Sequence, residues 1–101
     1  MIMETEISLP EFEGFDWSGG NADKIWQTHH VTPLEAEQAF FNSPLFCSPD
    51  TTHSHDEKRY YILGQTDNRR KLFIAFTTRK NLIRVISARD MSRKERRVYG
   101  P

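Results

Sequence analysis

The fold of this chain is decided by the stretch KLFIAFTTRKNLIRVISA, residues 71–88. Lys71 to Thr78 and Leu82 to Ala88 are rich in β-branched and aromatic residues, which favour strands. The three polar residues between them, Arg79 to Asn81, suit the turn of a hairpin. A third strand, Arg59 to Gly64, comes shortly before the pair. Short connections between successive strands predict an antiparallel meander.

The sequence around the meander predicts three helices. Their starts are marked by cap residues, in chain order Ser18, then Thr32-Pro33 with Glu35, then Ser92 with Glu95. The first helix is expected to carry Ile25 and Trp26 on its apolar face. The second should end near Phe41. The last is too short to be stable alone and must dock, with Val98 and Tyr99 as its anchors.

The chain is predicted to form one domain. Its 101 residues are enough for a single modest core. Residues 1–14 are acidic and interrupted by Pro10 and Gly14, so we expect a flexible lead-in there and a single domain over residues 15–101. The expected fold class is α+β: an antiparallel β-sheet with two N-terminal helices and a short C-terminal helix packed against it.

Charge is distributed unevenly along the sequence. Residues 1–57 contain eleven carboxylates and one lysine, whereas residues 58–101 contain thirteen cations and three carboxylates. The cations alternate with aromatic residues instead of forming a polar tail, which places them on a folded surface that can bind phosphates and stack bases. This pattern indicates an anionic ligand, and RNA is the ligand we predict.

The sequence also indicates a compartment. Cys47 is the single cysteine and has no basic neighbour, so it is expected to be a small buried hydrophobe, and an intramolecular disulfide is excluded. The first ten residues lack the basic and apolar regions of a secretory leader, and no stretch has the length of a membrane span. We therefore expect a cytoplasmic protein without a membrane partner.

Several separate motifs give the chain a family resemblance from about Phe15 to Tyr99. In order they are Trp17, His29-His30-Val31-Thr32-Pro33, Glu35-Ala36-Glu37, Phe40-Phe41-Asn42, Pro44-Leu45, Pro49-Asp50, His53-Ser54, Glu57, Arg59-Tyr60, Leu63-Gly64, Phe76-Thr77, Arg79, Ile86-Ser87-Ala88-Arg89-Asp90, Arg93-Lys94-Glu95-Arg96-Arg97 and Tyr99. With this order and spacing, the chain resembles the BrnT toxin family. It departs from the family pattern at Ile25, Thr28 and His30.

The resemblance implies a RelE-like fold and a type II toxin-antitoxin ribonuclease that inhibits translation and growth. It also implies a cognate antitoxin of the BrnA type, which would neutralise the toxin and contribute DNA binding for autoregulation. The expected reaction is endonucleolytic attack of an RNA 2′-hydroxyl on its phosphate, without metal or other cofactor. That chemistry requires a base, an acid and cations that stabilise charge on phosphorus.

Six residues are candidates for this chemistry. Four are arginines at positions of the family's motifs, namely Arg59, Arg79, Arg89 and Arg96. The alternative for each arginine is a solvated charge or a salt bridge. His53 and Glu57 are the proton-transfer candidates, although His53 could be a structural loop residue and Glu57 a salt-bridge partner. A zinc site at His53 and His55 lacks further ligands nearby in sequence.

A second set of residues is predicted to bind RNA: Tyr61, Arg84, Arg93, Lys94, Arg97 and Tyr99. Alternation places Tyr61 on the same strand face as Arg59 and turns Tyr60 toward the core. Tyr99 is equally suited to proton donation and to anchoring the last helix. The run from Arg69 to Lys71 follows a turn and is interpreted as a solvated hairpin edge or a diffuse RNA-tracking patch, outside the site.

Two other functions are compatible with the same surface charge. One is a non-catalytic RNA- or DNA-binding module, and the other is a protein-interaction domain whose basic face receives an acidic partner. Composition cannot separate them from a ribonuclease, because they differ in chemistry and not in charge.

Overall fold

The computed structural model describes residues 9–51 and 57–100. Over these ranges the chain is α+β, with a five-stranded sheet and three helices. The strands are β1 (Gly14–Phe15), β2 (Phe46–Pro49), β3 (Arg59–Gln65), β4 (Lys71–Arg79) and β5 (Leu82–Asp90). The helices are α1 (Asn21–His29), α2 (Pro33–Ala39) and α3 (Arg93–Tyr99).

The sheet has the strand order β1-β5-β4-β3-β2 and is mixed. The predicted meander is confirmed, since β3, β4 and β5 are consecutive antiparallel neighbours. The expectation of an antiparallel sheet is wrong at one edge, where β1 runs parallel to β5. Backbone bonds from Glu13 N to Asn81 O (2.7 Å) and from Asp16 N to Ile83 O (2.8 Å) hold this edge. A two-residue strand has no periodicity from which its direction could be predicted.

One face of the sheet forms the main core. Its largest fully buried side chains are Ile62, Leu72, Ile74, Phe76, Ile83 and Val85. Helix α1 contributes Ile25 to this core, and α2 contributes Ala36 and Ala39. Leu9 and Phe12, which lie in the segment predicted as a lead-in, also pack against it. Residues 1–8 of that segment lie outside the described residues. Burial of apolar area on this face is the main stabilising term, at about 25 cal/mol per Å².

The predicted start is confirmed for α2. The hydroxyl of Thr32 accepts from the Glu35 amide at 3.0 Å, and the Glu35 carboxylate accepts from the Thr32 amide at 3.0 Å. This capping box satisfies two amides that have no partner inside the helix. The predicted end at Phe41 is close to the observed one at Ala39.

The predictions for α1 were less accurate. Its N-cap is Gly20, with a positive φ of 85°, and the Ser18 hydroxyl instead donates to Asp16 Oδ1 at 2.7 Å. Trp26 was expected on the apolar face but is 48% exposed, and Ile25 is the buried residue of this helix. Two glycines with left-handed backbone delay the helix start beyond the serine.

Arg70 joins four parts of the fold. Its Nε and Nη2 donate to the Asp90 carboxylate at 2.8 and 3.1 Å, and Nη1 donates to Glu35 Oε1 at 3.2 Å. The guanidinium also donates to the carbonyl oxygens of His30 (2.9 Å) and His29 (3.2 Å), which end α1. We call this group the Arg70 clasp. The prediction of a solvated hairpin edge is therefore wrong for Arg70.

Helix α3 packs on the other face of the sheet, at the end where β5 finishes. Its capping box is confirmed, because the Ser92 side chain accepts from the Glu95 amide at 3.1 Å and the Glu95 side chain accepts from the Ser92 amide at 2.8 Å. Tyr99 packs in a small cluster with Leu63, and its hydroxyl donates to the Pro44 carbonyl at 2.6 Å. Val98 is 47% exposed, so its predicted anchoring role is wrong.

Gly64 provides a stability test. A Cβ at this position would lie 2.5 Å from the Ala39 carbonyl oxygen, where α2 crosses β3. We expect Gly64→Ala to lower the free energy of unfolding by about 1–3 kcal/mol, because backbone must move to relieve the overlap. Urea denaturation measures the change. Gly14→Ala is the matched control, since its Cβ would make an ordinary contact of 3.5 Å with Leu82. Equal midpoints for both variants would contradict the prediction.

The Arg70 clasp predicts a pH dependence of stability. The hydrogen bond from Arg70 is the main cause that lowers the pKa of Asp90 below its ordinary value of 3.8. A lowered folded-state pKa stabilises the protein above the unfolded pKa, and that contribution is lost as pH falls through the folded pKa. We expect Asp90→Asn to flatten the loss of stability below about pH 4. Denaturation midpoints measured across pH give the pH dependence of stability. If Asp90→Asn still flattens that dependence in a chain that also carries Arg70→Gln, this explanation is contradicted.

Candidate nucleic-acid interface

The face of the sheet opposite α1 and α2 carries the site residues that were predicted on the strands. We call it the open face. Opposed residues in an antiparallel pair project to the same side, so the register arranges this face in rows across β3, β4 and β5. The rows are Arg59-Thr77-Arg84, Tyr61-Ala75-Ser87 and Leu63-Phe73-Arg89. β5 has a bulge between the residues that pair with Ala75 and Phe76. Because of this bulge, Arg84 lies on the same face as Ser87 and Arg89.

Glu57, Arg59 and Arg79 lie at the end of the open face where β3 begins and β4 ends. Both Nε and Nη2 of Arg79 donate to Glu57 Oε2, at 3.0 and 2.5 Å. The two side chains are 51% and 41% exposed, so a ligand can reach them. Arg59 lies in the next strand, opposite Thr77. This end therefore places the Arg79 guanidinium beside the Glu57 carboxylate, with Arg59 on the adjacent strand.

Arg84 lies in the same row as Arg59, on β5. Its Nη1 donates to Asp16 Oδ2 at 3.2 Å, which links β5 to the residue after β1. The pKa of the Asp16 carboxyl lies below its usual range, mainly because the Ser18 hydroxyl donates to it and to a lesser extent because of Arg84. Arg84 is 23% exposed, so it is available at one edge only.

Arg89 is held rigidly at the other end of the open face. Nη1 and Nη2 donate to the two oxygens of Glu95 at 2.9 and 3.0 Å, and the guanidinium carbon lies 4.2 Å from the ring centroid of Phe73. The hydrogen bond from Arg89 is the main cause that lowers the pKa of Glu95. A carboxylate with a lowered pKa is a weak base, so Glu95 is suited to orienting Arg89 and not to accepting a proton.

An aromatic pair separates the two ends. The rings of Tyr61 and Phe73 stack with centroids 5.2 Å apart and an interplanar angle of 27°. Both residues are partly exposed. Tyr60 points the other way and stacks on Phe76 in the core, as alternation predicted. The open face therefore carries aromatic side chains of the type on which unpaired bases stack, and Arg89 already covers Phe73.

The four candidate arginines do not meet at one point. Rows that contain Arg59 and Arg89 are four residues apart along β3, which corresponds to about 13 Å. Arg79 shares the end of Arg59. Arg96 is on α3, and its charge helps to lower the pKa of Asp90 at the end of β5, so it shares the end of Arg89. The quartet is therefore divided between the two ends of the open face.

The remaining candidates have different surroundings. Arg93 and Arg97 line an open depression of about 370 Å³ beside α3, together with Lys71, Arg96 and Gly100. Lys94 is exposed on the same helix. Tyr99 is 4% exposed, and burial raises its pKa. Its ring is therefore inaccessible to a nucleobase, and Tyr99 anchors α3. His53 lies outside the described residues.

Two residues of the open face were not assigned to the site from the sequence, and Lys71 was interpreted instead as part of a solvated hairpin edge or a diffuse RNA-tracking patch. Phe73 lies under Arg89 and against Tyr61, and Lys71 lines the depression beside α3. A signal was present, because counting back in twos from Arg79 along β4 reaches both positions. What the sequence lacked was the register that brings β5 and α3 to them.

Cys47 is confirmed as a buried residue. Burial raises the pKa of its thiol to about 11, so it is a poor nucleophile at neutral pH. Within residues 9–51 and 57–100, no group of three His, Cys, Asp or Glu side chains is placed to hold a metal ion. None of the helices in that part of the chain combines the length and apolar character needed to cross a membrane.

A family model described as "Ribonuclease toxin, BrnT, of type II toxin-antitoxin system" matches residues 17–95, which is more than three quarters of the chain. The matched region includes Arg59, Arg79, Arg89 and the aromatic pair, and it ends one residue before Arg96. The search of curated proteins found no match.

Glu95 allows a test of how Arg89 is held. Glutamine can also close a capping box, so Glu95→Gln should preserve the α3 start while removing the charged pair with Arg89. In a double-mutant cycle with Arg89→Gln, we expect a coupling energy of about 1 kcal/mol in urea denaturation. Ser92→Ala removes the cap and leaves the pair, so its cycle with Arg89→Gln should be additive. Coupling of the same size in both cycles would show that only helix capping is involved.

Proposed function

Because the chain belongs to the BrnT family of type II toxin-antitoxin ribonuclease toxins, we propose that it cleaves RNA on the open face without a metal ion. The observation that carries this proposal is the pair of guanidinium–carboxylate groups at the two ends of the Tyr61 and Phe73 stack. Cations that bind phosphate and an aromatic surface that binds bases are thus adjacent on one face.

The reaction is an internal transfer at phosphorus. A base removes the proton of a 2′-hydroxyl, whose oxygen forms a bond to the adjacent phosphorus. The bond from phosphorus to the 5′-oxygen breaks, and an acid gives that oxygen a proton. The products are a 2′,3′-cyclic phosphate and a 5′-hydroxyl. Each proton-transfer group typically contributes 10²- to 10⁴-fold in rate.

We assign the chemical step to the end that contains Arg59 and Arg79. Their guanidinium groups stabilise the extra negative charge on the phosphorane oxygens. Both hydrogen bonds from Arg79 end on Oε2 of Glu57, so Oε1 is the oxygen that we assign to proton transfer. His53, four residues before Glu57 in sequence, is the proposed second proton-transfer group.

The other end of the open face binds the substrate away from the reacting phosphate. Arg89 and Arg96 hold a phosphate further along the RNA, and Tyr61 stacks on a base between the two ends. Support comes from the rigid mounting of Arg89 on Glu95 and Phe73. The remaining basic residues of the proposed RNA surface are Arg84, Arg93, Lys94 and Arg97. Tyr99 is not part of it, because its ring is buried.

The proposed partner is a cognate antitoxin of the BrnA type that covers the open face and adds DNA binding for autoregulation. The type II family description and the excess of cations in residues 58–101 support a protein inhibitor with acidic side chains. We place the activity in the cytoplasm, where translated RNA is found. The five-stranded sheet with helices on both faces supports the RelE-like scaffold that the family resemblance implies.

Cleavage of a labelled RNA tests the proposal. The purified chain should produce cyclic-phosphate ends that persist in EDTA, and Arg79→Ala and Arg89→Ala should each slow cleavage by about 10²- to 10³-fold, because each removes charge stabilisation. The ends are identified by their sensitivity to acid and phosphatase. Arg69→Asn, an exposed cation in the turn beside α2, is the matched control and should cleave like the unaltered chain.

The same assay is repeated with ribosomes translating the RNA. Intact RNA in both formats, together with salt-sensitive RNA binding, would overturn the ribonuclease proposal in favour of a non-catalytic binding module. Cleavage that EDTA abolishes would overturn the metal-free mechanism.

A further inference from the structure

Four cations surround the open depression beside α3. They are Lys71, Arg93, Arg96 and Arg97, and the backbone of Gly100 completes the lining. We call these four residues the α3 cluster. Lys71 begins β4 and the other three lie on α3, so the cluster exists only after the helix has docked on the sheet.

The α3 cluster differs in its charge compensation from the four arginines that form ion pairs. Arg70, Arg79, Arg84 and Arg89 each form a salt bridge with a carboxylate. Among residues 9–51 and 57–100, the ion pairs do not include any member of the α3 cluster. Asp90 is the nearby carboxylate that Arg96 influences, but Arg70 already occupies both of its oxygens. The positive charge of the cluster is therefore left for an external anion.

The fold also fixes the backbone that carries these charges. The capping box of Ser92 and Glu95 fixes the start of α3, and the bond from Tyr99 to the Pro44 carbonyl fixes its end. Four like charges around one depression repel each other, and a bound anion relieves that repulsion. Because the backbone that carries them is already ordered, binding requires only the side chains to be ordered.

The α3 cluster continues the line of the open face. Lys71 is opposite Gln65 in the register, one row beyond Leu63, Phe73 and Arg89. From the Arg59 row to the Lys71 row is six residues along β3, or about 20 Å. Four features thus follow one another along the strands: the cations at the Arg59 end, the aromatic pair, Arg89 and the α3 cluster.

We propose that the α3 cluster is a binding site for backbone phosphates of single-stranded RNA, remote from the cleaved bond. RNA then lies along the strands of β3 to β5, and the cluster determines affinity while the Arg59 end performs the chemistry. The inference rests on the proposed function for the identity of the ligand. Beyond the proposed function, RNA is expected to run parallel to the strands, with one group of residues for binding and another for cleavage.

The experiment compares two double variants that each remove two charges. Arg93→Gln with Arg97→Gln removes half of the α3 cluster and spares Arg96. Lys24→Gln with Arg69→Asn is the control, since these exposed cations lie on α1 and in the turn beside α2. Asparagine is used at position 69 because the φ there is 68° and asparagine tolerates it.

Binding is measured on an Arg79→Ala background with a single-stranded RNA, across a range of salt concentrations. The logarithm of affinity falls linearly with the logarithm of salt concentration, and loss of two phosphate contacts should make that fall shallower by about 1.4. The control should retain the original slope. On the active background, we expect the Arg93 and Arg97 variant to raise KM at least tenfold and to change kcat less than twofold. A shorter RNA that cannot reach the cluster should show no difference between the variants.

Two results would overturn the inference. An unchanged affinity and salt slope in the Arg93 and Arg97 variant would show that RNA does not bind there and would favour an acidic protein segment as the ligand. A fall in kcat at constant KM would place these residues in the chemistry instead. If the unaltered chain fails to cleave RNA but the variant still loses salt-dependent binding, the proposed ribonuclease activity fails and the α3 cluster site stands.

Discussion

Pairing of β4 along both edges is the constraint on which the rest of the structure depends. Each strand projects successive side chains to opposite faces, so a fixed register with β3 and β5 determines both the core and the open face at once. Ile74 and Phe76 are buried beneath α1 and α2, whereas Phe73 and Thr77 are on the opposite face. A slip of one residue would exchange the two sets. The core therefore also holds the candidate site in place.

Folding uses the charge asymmetry of the sequence. Carboxylates of the acidic first half pair with arginines of the basic second half, as in Glu35 with Arg70 and Asp16 with Arg84. Partly exposed pairs of this kind contribute little to stability, commonly about 0–1 kcal/mol each. Their main effect is to orient guanidinium groups. Beside α3, no carboxylate among the described residues forms an ion pair with Arg93, Arg96 or Arg97, and this is the charge that we propose for RNA binding.

Glu95 takes part both in a helix cap and in the candidate site. Its Oε1 accepts from the Ser92 amide at 2.8 Å and from Arg89 at 2.9 Å, so the residue that starts α3 also orients an arginine of the open face. Docking of α3 and orientation of Arg89 are thereby coupled. The Arg70 clasp has the same character, because it joins the end of α1 to the Asp90 carboxylate beside this site.

Features that depend on neighbours in sequence were determined by the sequence alone. They include the three meander strands, the capping boxes of α2 and α3, and the opposite directions of Tyr60 and Tyr61, since alternation and caps act within about four residues. The candidate arginines were also named from the sequence, through motif positions. Contacts between distant segments were decided only by the tertiary structure. The parallel β1 edge, the clasp around Arg70, the buried ring of Tyr99 and the division of the arginines into two ends depend on strand register and helix docking, which are set by packing of the whole core and leave no local pattern.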